Sequence, residues 1–107
     1  MSKGTGIAAG QILGFPDFVQ AVVLVANTGQ AFDTPAGMGS VLFSMNADFY
    51  ARYGSTAAAV PTTSSTAATG SELNPTARNI GSTLTTTGIS LISESAAKGS
   101  LAWFKPA

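Results

Sequence analysis

The 107-residue chain contains no cysteine and no histidine, and only ten of its side chains carry a formal charge. Each shortage closes off some chemistry. Without cysteine there is no disulfide scaffold, no thiolate nucleophile and no cysteine-based zinc site. Without histidine the commonest general base and the commonest metal ligand are missing as well. Charged residues normally make up about a quarter of a soluble domain; here they are 9%. Lys3, Arg52, Arg78, Lys98 and Lys105 balance Asp17, Asp33, Asp48, Glu72 and Glu94 at a net charge of zero. The cations are scattered, with no basic run to neutralise a phosphate backbone, so nucleic acid is not expected as a partner. No apolar run approaches the ~20 residues of a membrane-spanning helix. The densest stretch, Val19–Ala26, is short and interrupted by Gln20. The Gly-rich start, Met1–Gly14, lacks the compact apolar block of a signal peptide, which leads us to expect no membrane association.

What is present is glycine, alanine, serine and threonine, punctuated by short apolar bursts, with a mean hydropathy of +0.29. A neutral chain of positive hydropathy tends to self-associate when free. A surface largely covered by partners, copies of itself among them, is the economical reading. The length suits one domain with a modest core.

Residues 1–18 combine four glycines with Pro16 and little periodicity, which predicts an extended N-terminal arm. Residues 19–107 read as the folded domain. Val19–Ala26, rich in β-branched residues and closed by Asn27-Thr28-Gly29, predicts a buried strand and a turn. Gln30–Thr34 predicts a short strand ending at the turn Pro35-Ala36-Gly37. In Gly39–Asn46 the residues Val41, Phe43 and Met45 alternate with Ser40, Leu42 and Ser44. Beyond the turn Asn46-Ala47-Asp48, Phe49, Ala51 and Tyr53 share one face and Tyr50 and Arg52 the other. Val41–Met45 and Phe49–Tyr53 are therefore expected to pair as a hairpin. Residues 54–74, mostly Ser, Thr, Ala and Gly, predict a long surface loop. A short strand within Pro75–Gly81, a strand at Ile89–Ser93, a turn at Glu94–Lys98 and a last strand at Gly99–Phe104 complete the pattern. Leu101 and Trp103 fall on one face of that last strand. No helix of convincing length is present. The expected fold is all-β, a small β-sandwich or jelly roll with an extended N-terminal arm.

No constellation for catalysis emerges. The glycines at 4, 6 and 10 are misplaced for a phosphate loop and lack its Lys-Ser/Thr. Asp48 and Glu72 are the only carboxylates worth weighing as a glycosidase pair, but nothing sets their separation. Hydroxyls need a base, and Lys98, in an exposed turn, would stay protonated. No Asp-x-Asp cluster offers a calcium loop. Tyr50, Tyr53 and Trp103 would have to stack on one exposed face to hold a sugar, and aromatics in alternating strands are more often core. We expect no catalytic, cofactor-binding or metal-binding residues, and no cofactor.

The segments Asp48-Phe49-Tyr50-Ala51-Arg52-Tyr53, Ala59-Val60-Pro61 and Gly70-Ser71-Glu72-Leu73-Asn74-Pro75-Thr76-Ala77-Arg78 form a distinctive set. With Ile89–Ser93 and Leu101-Ala102-Trp103-Phe104, they resemble small structural proteins of tailed bacteriophages over residues 30–104. The resemblance implies a virion protein, foremost a decoration (cement) protein on the capsid exterior. Its partners would be the major capsid protein and copies of itself in a homo-oligomer. A neck, tail or fibre-base protein is the alternative, and a carbohydrate-binding adsorption module a further one. In that role the contact regions would be the arm with Ile7, Ile12 and Phe15, the strand pair Tyr50 and Arg52, and the loop end with Glu72, Asn74 and Arg78. Arginine suits such contacts because its planar fork pairs with carboxylates while its stem packs.

Overall fold

The computed structural model describes residues 14–54, 57–67, 70–80 and 88–105. These form eight strands: β1 (Phe18–Leu24), β2 (Gln30–Asp33), β3 (Ser40–Met45), β4 (Tyr50–Tyr53), β5 (Glu72–Leu73), β6 (Ala77–Asn79), β7 (Gly88–Ile92) and β8 (Ala97–Phe104). No helix occurs among the described residues. The fold is all-β, as the alternation of small polar and apolar residues predicts.

The strands make two four-stranded antiparallel sheets, ordered β1-β8-β3-β6 and β2-β7-β4-β5. The pairing is nested. β1 lies on β8, β2 on β7, β3 on β6 and β4 on β5, so the chain runs out and returns like one long hairpin. The pairs β3–β8 and β4–β7 stitch the nested hairpin into sheets. Of the seven links between consecutive strands, only the β4–β5 loop stays within one sheet.

Four short links, at residues 25–29, 46–49, 74–76 and 93–96, arch from one sheet to the strand facing it in the other. They gather at one end of the molecule and are tied by amide and hydroxyl side chains. The Asn27 N–H donates to the Ser93 carbonyl at 2.7 Å. Asn46 Oδ1 accepts from the Lys98 N–H at 2.8 Å, and Ser93 Oγ donates to the Asp48 carbonyl at 2.7 Å. Asn27 and Asn74 adopt left-handed backbone conformations, φ 60° and 49°, which asparagine tolerates better than most residues. The link at 34–39 lies at the opposite end, where the β4–β5 loop also leaves β4.

The arches overturn the hairpin expected between Val41–Met45 and Phe49–Tyr53. β3 and β4 belong to different sheets and face one another across the interior. Alternation and an Asn-Ala-Asp link suit an arch as well as a hairpin. The choice falls to packing: stacked face to face, Phe43 meets Phe49 at 5.9 Å between centroids and Tyr53 edge-on at 6.3 Å. The turn expected at Glu94–Lys98 is also narrower, because β8 already begins at Ala97.

The core interleaves Val22, Leu24, Val41, Leu101 and Trp103 of the first sheet with Phe32, Ala51, Ile89 and Leu91 of the second, all buried. Each large member contributes about 1.5–3 kcal/mol on burial. Where β8 runs against β3, Gly99 is required: a Cβ there would overlap the Ser44 carbonyl and the Met45 backbone. Along β3, β4, β7 and β8 the inward residues alternate with outward ones that are mostly hydroxyl, charged or small. β1 departs from that pattern. Val22 and Leu24 are buried, but Val19, Val23 and Val25 are 63%, 60% and 66% exposed. The strand expected to be buried is an edge strand, covered on one face only.

Candidate interaction surface

The residues singled out from the sequence fall into three groups. The first closes a flank of the molecule. β5 and β6 are the outermost strands of the two sheets at the same flank, joined by the arch at 74–76. Register places Glu72 opposite Ala51 and Arg78 opposite Val41, so both side chains turn toward the interior at its open border. There they meet. Arg78 Nε donates to Glu72 Oε1 at 3.1 Å and Nη2 donates to Oε2, a two-pronged ion pair bridging the sheets. The Tyr53 hydroxyl donates to Glu72 Oε1 at 2.8 Å. Arg78 Nη1 also donates to the Ala77 carbonyl at 2.6 Å.

The electrostatics follow from that geometry. Hydrogen bonds from Arg78 hold the Glu72 carboxyl below the ordinary carboxylate range. The same carboxylate raises the Arg78 guanidinium further. Burial, with the Glu72 bond and charge adding to it, pushes the Tyr53 phenol well above its usual value. Both members of the ion pair remain partly exposed, at 42% and 37% of their side chains, so the pair is a modest brace against water and salt. Glu72 and Arg78, expected to reach out to a partner, satisfy each other within the chain.

Asn74 belongs to the arch network. Its Oδ1 accepts from the Phe49 N–H at 3.0 Å, its Nδ2 donates to Asp48 Oδ1 at 2.9 Å, and its own N–H donates to the Phe49 carbonyl at 2.9 Å. Asp48 and Glu72 are thus engaged separately, one by an amide and one by a guanidinium. They do not form a carboxylate pair. Trp103 is buried and Tyr53 is tied to Glu72, while Tyr50 lies on the opposite face of β4. These three aromatics do not assemble into a sugar platform.

The second group is the outward face of the sheet β2-β7-β4-β5. Tyr50 and Arg52 point outward from β4 and are half-buried. The loop after β4 folds back over this face: the Ala58 N–H donates to the buried Ser90 Oγ at 2.9 Å, and Ala58 is itself buried. The Ala59 N–H donates to Ser71 Oγ at 3.1 Å. Residues 61–67 are exposed. Part of the loop expected to contact partners is therefore docked on its own sheet.

The third group is the start of the chain. Ile7 and Ile12 lie outside the described residues, as does most of the stretch read as an arm. Phe15 is 98% exposed. Asp17 is already held, its N–H donating to the Trp103 carbonyl at 2.8 Å and its Oδ2 accepting from the Lys105 N–H at 2.9 Å. β1 opens at Phe18, itself half exposed. Phe15, Phe18, Val19, Val23 and Val25 are exposed apolar side chains along this edge, bordered by Asp17 and, beside Val23, by Lys98. Reading Val19–Ala26 as a buried strand passed over this surface. The run is apolar at both odd and even positions, a pattern normal for a strand covered on both faces.

In comparisons with protein-family models, curated proteins and solved structures, the chain matches none.

Proposed function

We propose that the chain is a structural protein of a bacteriophage virion, a decoration protein seated on the capsid exterior and bound to the major capsid protein and to copies of itself. The strand order carries the reading. We read the nested pairing of β1 with β8, β2 with β7, β3 with β6 and β4 with β5, folded into sheets β1-β8-β3-β6 and β2-β7-β4-β5, as a jelly roll. That architecture recurs in viral capsid proteins and in lectins. Fold alone does not set function; the charge-poor surface and the uncovered apolar flank add to it. A clamp that holds neighbouring capsomers works through many neutral, repeated contacts, and low charge limits what must be desolvated at each. Several weak sites on one oligomer would gain through effective concentration. On this reading the protein has no catalytic step and needs no cofactor.

Densitometry of purified particles that encode this chain tests the proposal. A decoration protein is present at a copy number comparable to that of the shell subunit. A handful of copies per particle would move the protein to the neck, tail or fibre base. Absence from particles would refute a virion role.

A further inference from the structure

We infer that the free side of β1 is the binding edge for a second copy of this chain, joined antiparallel about a two-fold axis. Four observations converge on it. β1 is the outermost strand of its sheet, paired on one side only, with β8. Its sequence, FVQAVVL, contains no charge, proline or glycine, the devices by which edge strands are ordinarily shielded from pairing. Its outward residues Val19, Ala21 and Val23 are exposed and apolar or small, whereas on the same face the neighbouring strands mix Leu42, Ala102 and Phe104 with serines, Lys98 and Asn79. The uncovered patch includes Phe18, the first residue of the strand, and continues past its two ends through Phe15 and Val25.

The occupant is argued from charge, symmetry and size. No ionisable residue lies between Phe18 and Gln30; Asp17 precedes the strand and Lys98 stands beside Val23 on β8, but the seam itself offers a charged partner nothing to complement. A neutral surface of the same kind does fit. Antiparallel pairing centred on Ala21 brings Val19 of each copy opposite Val23 of the other, β-branched pairs that stabilise a sheet. Such an interface is self-complementary, as two-fold symmetry requires. β1's seven residues extend about 24 Å at ~3.4 Å each, and two sheets ~10 Å apart with their side chains make a flank roughly 20 Å deep. Pairing it would bury on the order of 500 Å² per copy, about 1,000 Å² in all, the lower bound for a specific interface. The product is one continuous eight-stranded sheet across two subunits. This inference stands apart from the virion reading, because the dimer should form in buffer with no shell present.

The test uses the full chain. Sedimentation equilibrium should give twice the chain mass at high concentration and a reversible fall toward the monomer on dilution. The double substitution Val19→Lys with Val23→Lys sets four ammonium groups along the seam and should raise the dissociation constant at least tenfold. The absence of cysteine permits a second measurement that does not depend on that variant folding. Ala21→Cys should oxidise rapidly to a cross-linked dimer, while Ala77→Cys, exposed on the opposite edge strand, should not. A monomer at all concentrations overturns the inference, including one whose β1 amides are protected from exchange by another segment of its own chain. An oligomer in which Ala21→Cys and Ala77→Cys cross-link equally overturns it too.

Discussion

Asn74 shows how much one side chain holds at the arched end of the molecule. It accepts from Phe49, donates to Asp48 and sits at φ 49°, where a Cβ-bearing residue without a polar side chain is disfavoured. Asn74→Ala removes the acceptor and leaves the partly buried Phe49 N–H without its partner. Stability should fall by about 1–3 kcal/mol, read from chemical denaturation. Asn74→Asp keeps the acceptor but places a second carboxylate beside Asp48, so its loss should shrink as salt is added. The sequence marks Asn74 as a contact residue, within Gly-Ser-Glu-Leu-Asn-Pro, and the residue is exposed. What the sequence does not show is its bonds across the arch, which join residues 25 positions apart. Glu72 and Arg78 likewise suit a contact by residue type, and the facing of β5 and β6 adds an ion pair within the chain that leaves both side chains partly exposed.

At the scale of elements, the loop after β4 is pinned to its sheet by the bond from the Ala58 N–H to Ser90 Oγ. Ser90→Ala should let that loop lift from the sheet. Cleavage within residues 59–67 by a protease of broad specificity should quicken several-fold while the global unfolding midpoint moves little, since local opening is separable from global unfolding. Most strand positions were legible from alternation alone: β2, β3, β4, β7 and β8 lie within two residues of their expected bounds. Pairing partners were not. Alternation states which face of β3 and β4 is apolar, and that face is the same in a hairpin and in an arch. β1 is the sharper case. Its unbroken apolar run points to two covered faces, and within one chain only one is covered.

For the whole molecule, the link between Tyr53, Glu72 and Arg78 makes closure of the two sheets sensitive to pH at both extremes. Glu72 has a folded-state value below its ordinary 4.5. Its contribution is therefore complete above that value and is lost as pH falls through it. Tyr53 is shifted the other way, so its contribution is complete below the ordinary phenol value of 10.0 and is lost as pH rises beyond it. Thermal midpoints should be flat between these limits and fall outside them. Glu72→Gln should lower the neutral plateau and flatten the acid limb, and Tyr53→Phe should flatten the alkaline limb. An acid limb unchanged in Glu72→Gln would show that other carboxylates control it. The nested pairing carries a last consequence, for biosynthesis. Because Phe18 is matched with Trp103, a nascent chain cannot complete its first sheet until β8 has left the ribosome, and until then the valines of β1 stay open to whatever they encounter.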